Sequence, residues 1–329
     1  MTLAPPKAWF MIFRILAVIV WAVLTVMMSA AVAYMDTGRI DWINFFLTLA
    51  IASLVQGFPA HIVNEIYDWE SGADRFKKLG EKSGGSKVIK SGLADIPQLW
   101  TMFIVTTFFS FVLMILLSYR TRIESFAFFF IGYFVCIFYT MPPFRWAYRP
   151  FAGEWLGGYA GILLNMTGTY FVQTGFVQWN IVAFASTTGL IYIGIMMLFH
   201  YLDYDSDSQA IPKKNTTIVY LGLKKSKMYV IVLLSASILF SIFLAFFVHP
   251  VFYFLTLCAV VQLISQTSVD PFSPGSIIRH GKFITLAMVV YAIMFTSWIN
   301  VQFLWMMIPI SISFYLHKKF GKIRPVANQ

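Results

Sequence analysis

Asn64-Glu65-Ile66-Tyr67-Asp68-Trp69-Glu70-Ser71-Gly72-Ala73-Asp74 closes a long apolar segment. Carboxylates are expensive in such a place. On insertion scales a charged side chain at the bilayer centre costs about 2.5–3.5 kcal/mol. Asn64 and Asp68 stand four residues apart, so on a helix they share one face. Gly72 is suited to end that helix and let the chain fold back before Asp74. Oxygen ligands converging at a membrane helix end suit a hard divalent cation such as Mg²⁺. The alternative is a hydrated helix end followed by ordinary loop acids.

A second stretch, His200-Tyr201-Leu202-Asp203-Tyr204-Asp205-Ser206-Asp207, also closes a long apolar run. Asp203 and Asp207 repeat the one-face spacing. Two acidic clusters at the same end of two membrane helices exceed what solvation of helix ends requires. Facing each other, they suit Mg²⁺ ions with a diphosphate held between them.

The rest of the chain sets these clusters in a membrane. Of 329 residues, 59% are hydrophobic and 12% charged, the balance of an all-α polytopic membrane helix bundle and of no soluble domain. Apolar spans are expected at about 9–34, 43–67, 97–118, 124–141, 152–174, 178–202, 227–248, 250–267, 282–299 and 301–316. The last is short for a crossing, which takes roughly 17–25 residues. The spans leave no room for a second domain, so 1–329 is expected to be one. The first span is too long for a signal peptide and lacks a cleavage-like site. Cys136 and Cys258 lie inside apolar runs and read as small core residues.

Net charge is +10, which here reports topology rather than nucleic acid. With the N-terminus inside, twenty basic residues are cytoplasmic, among them Arg75, Lys77, Lys78, Lys82, Lys87 and Lys90 after the first cluster and Lys213, Lys214, Lys224, Lys225 and Lys227 after the second. Only Arg39, Arg120 and Arg122 fall outside, and Arg14 lies within the first span. That asymmetry puts both acidic clusters on the cytoplasmic side, at the heads of two long loops, 68–96 and 203–226. Short helices in these loops are expected to cap a cavity. Within the first, Ser83-Gly84-Gly85-Ser86-Lys87 offers a backbone able to approach a phosphate, although a plain surface turn has the same composition.

These residues resemble the UbiA superfamily of intramembrane prenyltransferases. Asn64, Asp68, Gly72 and Asp74 match its first motif and Asp203 with Asp207 its second. Gly84 to Leu93, Tyr139-Thr140 with Pro143-Phe144, Tyr148-Arg149 with Glu154, Gly168-Thr169-Tyr170, and Lys214 with Thr216 are similar to the MenA-like branch, which prenylates 1,4-dihydroxy-2-naphthoate for menaquinone. The sequence departs at Glu65, where the family has Asp, at His200-Tyr201, often Asn-Asn, and at Ala147, often Lys.

The resemblance implies nine core transmembrane helices around a central cavity; the span count adds 301–316 as a short tenth, and the charge asymmetry puts the cavity on the cytoplasmic side of the inner cell membrane. The resemblance also implies Mg²⁺ as cofactor, and a polyprenyl diphosphate and a small aromatic acceptor as partners. Asn64, Asp68, Asp74, Asp203 and Asp207 would hold the metal–diphosphate unit, with Glu65 and Asp205 beside them. Arg149 and Lys214, then Arg145 and Lys87, are candidates for the diphosphate. His61 or His200 is placed to take an acceptor proton, and packing against a backbone partner would explain either equally well. Two other readings use the same residues. One is a terpene cyclase of the same fold without an external acceptor. The other is a cation transporter, which would place its acids nearer the membrane midplane.

Overall fold

The computed structural model describes residues 3–75 and 85–321. Lys77, Lys78, Lys82, Ser83, Gly84, Lys322 and Arg324 lie outside the described residues. Among the described residues the fold is all helical, and seven helices are long and apolar enough to cross a membrane. These are α1 (Pro6–Thr37), α2 (Trp42–Glu70), α3 (Ile96–Arg120), α6 (Trp179–Gln209), α7 (Leu223–Phe247), α8 (Pro250–Ser268) and α9 (Pro274–Ile299). The other three apolar stretches are helical too. They are α4 (Glu124–Phe138), α5 (Ala160–Thr174, entered through a π-helical segment Gly153–Tyr159) and α10 (Met307–Phe320).

Successive helices from α1 to α9 pack on one another in chain order, and α9 packs on α1 to close the series. α1 and α5 also meet across it. The core runs along α1 and α6, whose apolar residues are largely enclosed by neighbours, whereas α3 turns most of its surface outward. That outer face carries Ile104, Phe108 and Ile115, the surface a lipid environment accepts. α1 is interrupted at Arg14, which takes a left-handed conformation (φ 47°) before the helix resumes.

Helix ends explain where the expected boundaries shift. α9 begins at Pro274, with Ser273 capping the Ser276 amide, and so carries Arg279 and Lys282 on its first turns rather than in a loop. α2 runs to Glu70 and α6 to Gln209, so Asn64, Asp68, Asp203 and Asp207 sit on helices, and of the two clusters' ligands Asp74 alone lies in the loop beyond. Hydropathy marks only where apolar residues stop, and polar residues continue both helices. The second loop contains a short helix, Thr217–Leu221, capped by Thr216. The described part of the first, from Gly85 to Asp95, is built of turns.

Candidate active site

The end of α2 has the geometry expected from its spacing. Asn64 Nδ2 donates to Asp68 Oδ2 at 2.9 Å. Beyond Glu70 the chain turns through Gly72 (φ 82°), and the Asp74 amide returns to the Asp68 carbonyl at 3.1 Å. Asp74 is thereby buried beside Gly85, where a Cβ would come within 2.9 Å of Asp74 Oδ2. Only glycine leaves that space at a positive φ of 89°.

Glu65 has a larger part than its position beside Asn64 suggested. Its buried carboxylate accepts from the Ser86 amide at 2.9 Å, the Ser86 hydroxyl at 2.7 Å, the Lys87 amide at 3.2 Å and the Ile89 amide at 3.3 Å. The Ser86 and Lys87 amides, which a phosphate-approaching backbone would have offered to a ligand, are engaged by α2's own carboxylate. Glu65 anchors the returning loop to the helix that carries Asn64 and Asp68.

The second cluster is drawn onto the first by the loop after α6. The Ile211 amide donates to the Ser71 carbonyl at 2.7 Å, and the Lys214 amide to the Asp207 carbonyl at 3.2 Å. The buried Lys214 ammonium then lies 2.7 Å from Asp68 Oδ2 and 3.7 Å from Asp207 Oδ1. Burial acts to lower its pKa, but the charges of Asp207 and Asp68 outweigh burial and hold the ammonium well above its ordinary value. One carboxylate from each motif thus faces the same cation. Tyr148 completes this side, its hydroxyl 3.0 Å from Asp68 Oδ1 and 2.9 Å from Ser71 Oγ. Burial, then the Asp68 charge, raises the Tyr148 pKa and keeps the phenol protonated as a donor. The Arg145 guanidinium stacks over the Tyr67 and Tyr148 rings at 5.4 and 5.6 Å.

A third group adjoins these and joins His200, a candidate from the sequence, to Glu154, which was not read as a site residue. Glu154, fully buried in the π-helical segment before α5, accepts from Thr217 Oγ1 at 2.7 Å. Its other oxygen is 3.8 Å from His200 Nδ1, at ion-pair distance. His200 Nε2 is 3.4 Å from the Tyr139 hydroxyl. A lone acid at the head of an apolar run was the available signal.

The remaining candidates stand differently. His61 is buried with Nδ1 3.1 Å from the Ile12 carbonyl, so helix packing with a backbone partner accounts for it. Arg149 is exposed and donates to the Pro143 carbonyl at 3.5 Å, not to a carboxylate. Asp205 is exposed, on the turn between the buried Asp203 and Asp207. Lys87 is buried next to the Glu65 anchor.

The donors gathered at this end of the bundle, Asn64, Asp68, Asp74, Asp203 and Asp207, are hard oxygens. Among the described residues no three His, Cys, Asp or Glu side chains form a ready metal cage. Mg²⁺ does not ask for one, since it is commonly held by one or two carboxylates, water and substrate phosphates. The donor set fits that ion, and Lys214 marks a place between Asp68 and Asp207 where positive charge is accommodated.

Known proteins resemble this chain in sequence and in fold. The model of the UbiA prenyltransferase family matches residues 22–270. A 1,4-dihydroxy-2-naphthoate octaprenyltransferase from Haemophilus influenzae is 27% identical over 190 residues, covering 55% of this chain and 58% of that relative's length. Among solved structures, a UbiA homolog from Archaeoglobus fulgidus bound to GPP and Mg²⁺ superposes with TM-score 0.66 at 13% identity, over 88% of this chain and 99% of that one. A UbiA homolog from Aeropyrum pernix gives TM-score 0.62 at 14% identity, over 82% and 94%.

Proposed function

The chain belongs to the UbiA prenyltransferase family, and on that premise we propose that it transfers an isoprenyl group from a polyprenyl diphosphate to 1,4-dihydroxy-2-naphthoate, at the cytoplasmic face of a nine-crossing bundle. The observation that carries this reading is the meeting of the two acidic motifs on Lys214. Asn64, Asp68, Asp74, Asp203 and Asp207 would hold Mg²⁺, which when bound offsets charge developing on the departing diphosphate. Lys214 and Arg145 add positive charge from the protein itself. Tyr148 orients Asp68 through its hydroxyl.

Bond breaking at the diphosphate leaves an allylic carbocation, which water would quench. Glu65 and the Ile211–Ser71 contact hold both loops down over the carboxylates and so limit water. An apolar cavity lined by Trp21, Val55, Phe129, Tyr133, Gly157 and Leu164 lies between α1, α2, α4 and α5 and suits the head of the isoprenyl chain. The acceptor's ring carbon beside a hydroxyl attacks the cation, with His200 on the acceptor side. The naphthoate assignment draws on the Haemophilus relative, and the diphosphate and Mg²⁺ on what the Archaeoglobus protein binds. The test is the mass spectrum of the lipid-quinone pool of cells with and without this protein. Loss of prenylated naphthoquinone on deletion is expected, and an unchanged pool contradicts the reading.

A further inference from the structure

Glu154 is a fully buried carboxylate outside both acidic motifs. A buried charge needs partners. Its Oε2 accepts a hydrogen bond from the Thr217 hydroxyl at 2.7 Å, and the same Thr217 oxygen accepts from the Phe151 amide at 2.7 Å, which fixes the direction of that hydroxyl. Oε1 is left facing His200 Nδ1. His200 in turn presents Nε2 to the Tyr139 hydroxyl. The Tyr139 ring occupies the space over Gly157, where a Cβ would stand 2.5 Å from Tyr139 Cδ2. The Tyr139 carbonyl accepts from the Ala147 amide at 2.7 Å, and the adjoining Tyr148 hydroxyl donates to Asp68 at 3.0 Å. The line Thr217–Glu154–His200–Tyr139 therefore ends next to the turn whose Tyr148 holds Asp68.

We propose that Glu154 is a positioning residue that keeps the His200 proton on Nδ1, so that Nε2, with Tyr139, borrows the acceptor's hydroxyl proton during transfer and then returns it. The proposal rests on the aromatic-acceptor reading above. A carboxylate at one ring nitrogen selects the tautomer with its proton there and makes the other nitrogen the base. In the reaction the acceptor O–H bond breaks and its proton goes to Nε2. The oxygen's electrons move into the ring, and the adjacent ring carbon forms the bond to the isoprenyl carbon. The C–O bond of the prenyl diphosphate breaks, and its electron pair leaves with the diphosphate. The quaternary ring carbon now carries the carboxylate next to a ketone. CO₂ departs, its bond electrons return to the ring and oxygen, and the imidazolium gives the proton back to that oxygen. No net proton or external reductant is needed.

The test uses full-length protein with Mg²⁺, geranyl diphosphate and 1,4-dihydroxy-2-naphthoate, comparing wild type, E154Q and E154D. General-base assistance is worth about 10²–10⁴-fold. E154Q is expected to lower kcat by about 10²-fold with KM for geranyl diphosphate unchanged, and E154D to recover part of the loss. With an acceptor whose hydroxyl is already ionised, the wild-type to E154Q ratio should shrink toward one. If E154Q fails to fold, T217V, which frees the carboxylate to turn, should show the same pattern more weakly. Equal kcat for wild type and E154Q, or a loss that is the same for both acceptors, overturns the inference alone. A wild type that prenylates no hydroxyaryl acceptor overturns the functional reading and this inference together.

Discussion

Lys214 Nζ stands 2.7 Å from Asp68 Oδ2, although the two residues are 146 positions apart in the chain. This contact is what makes one site of two motifs, because Asp207 shares the same ammonium. Removing one partner of a buried pair typically costs about 3–5 kcal/mol. Lys214→Met is therefore expected to lower the Tm of the purified protein and to weaken prenyl diphosphate binding. A variant with unchanged Tm and unchanged affinity would show that the contact joins nothing.

Asp68→Asn and Asp203→Asn should abolish turnover while the protein still inserts and folds. Each keeps the shape of the side chain and removes the charge a hard cation selects. EDTA should silence the wild type in the same assay, and excess Mg²⁺ should restore it. Full turnover in EDTA would rule out the metal-dependent mechanism.

Glu65 makes a structural prediction separate from the chemistry. Its four hydrogen bonds hold Ser86, Lys87 and Ile89 on α2. Glu65→Gln keeps the volume but turns an NH₂ group toward amide donors, a loss of about 1–3 kcal/mol or more. Hydrogen exchange at the Ser86, Lys87 and Ile89 amides should quicken, with little change at α7 and α8. Unaltered exchange at those three amides would contradict the anchor.

Orientation is checked at positions the structure leaves open. Lys87 and Lys214 are buried and make poor labelling sites, whereas Lys213 is exposed and Tyr119 is 90% exposed at the other end of the bundle. A cysteine at 213 should react with an impermeant maleimide only from the cytoplasmic side, and one at 119 only from outside. The reverse pattern would turn the site to the outer face.

Much of this was legible because it is local. The Asn64–Asp68 face follows from helical spacing, and the turn at Gly72 from the freedom of glycine at positive φ. What stayed hidden depends on partners distant in sequence. Glu65 looks like a spare acid until the 86–89 segment folds onto it. Glu154 looks like a lone acid at the head of an apolar run until Thr217 and His200 arrive from other elements. Arg149 and Arg145 are equivalent as basic residues in one short loop. A left-handed backbone at Arg145 (φ 45°) accompanies its stacking on Tyr67 and Tyr148, while Arg149 turns to Pro143. The α9 start was misplaced because charged residues on a helix's first turns look, by hydropathy, like loop.

Mg²⁺-dependent prenyl transfer to a dihydroxynaphthoate is decided by one competition assay. Purified protein is given one prenyl diphosphate with 1,4-dihydroxy-2-naphthoate, 4-hydroxybenzoate and homogentisate together, with and without EDTA, and products are read by mass. A single EDTA-sensitive product is expected, with the mass of the naphthoate plus the isoprenyl group less CO₂. Prenylation of a monocyclic acid alone would contradict the naphthoate assignment. Cyclised hydrocarbon without acceptor, or no consumption of the diphosphate at all, would contradict the transfer reaction itself.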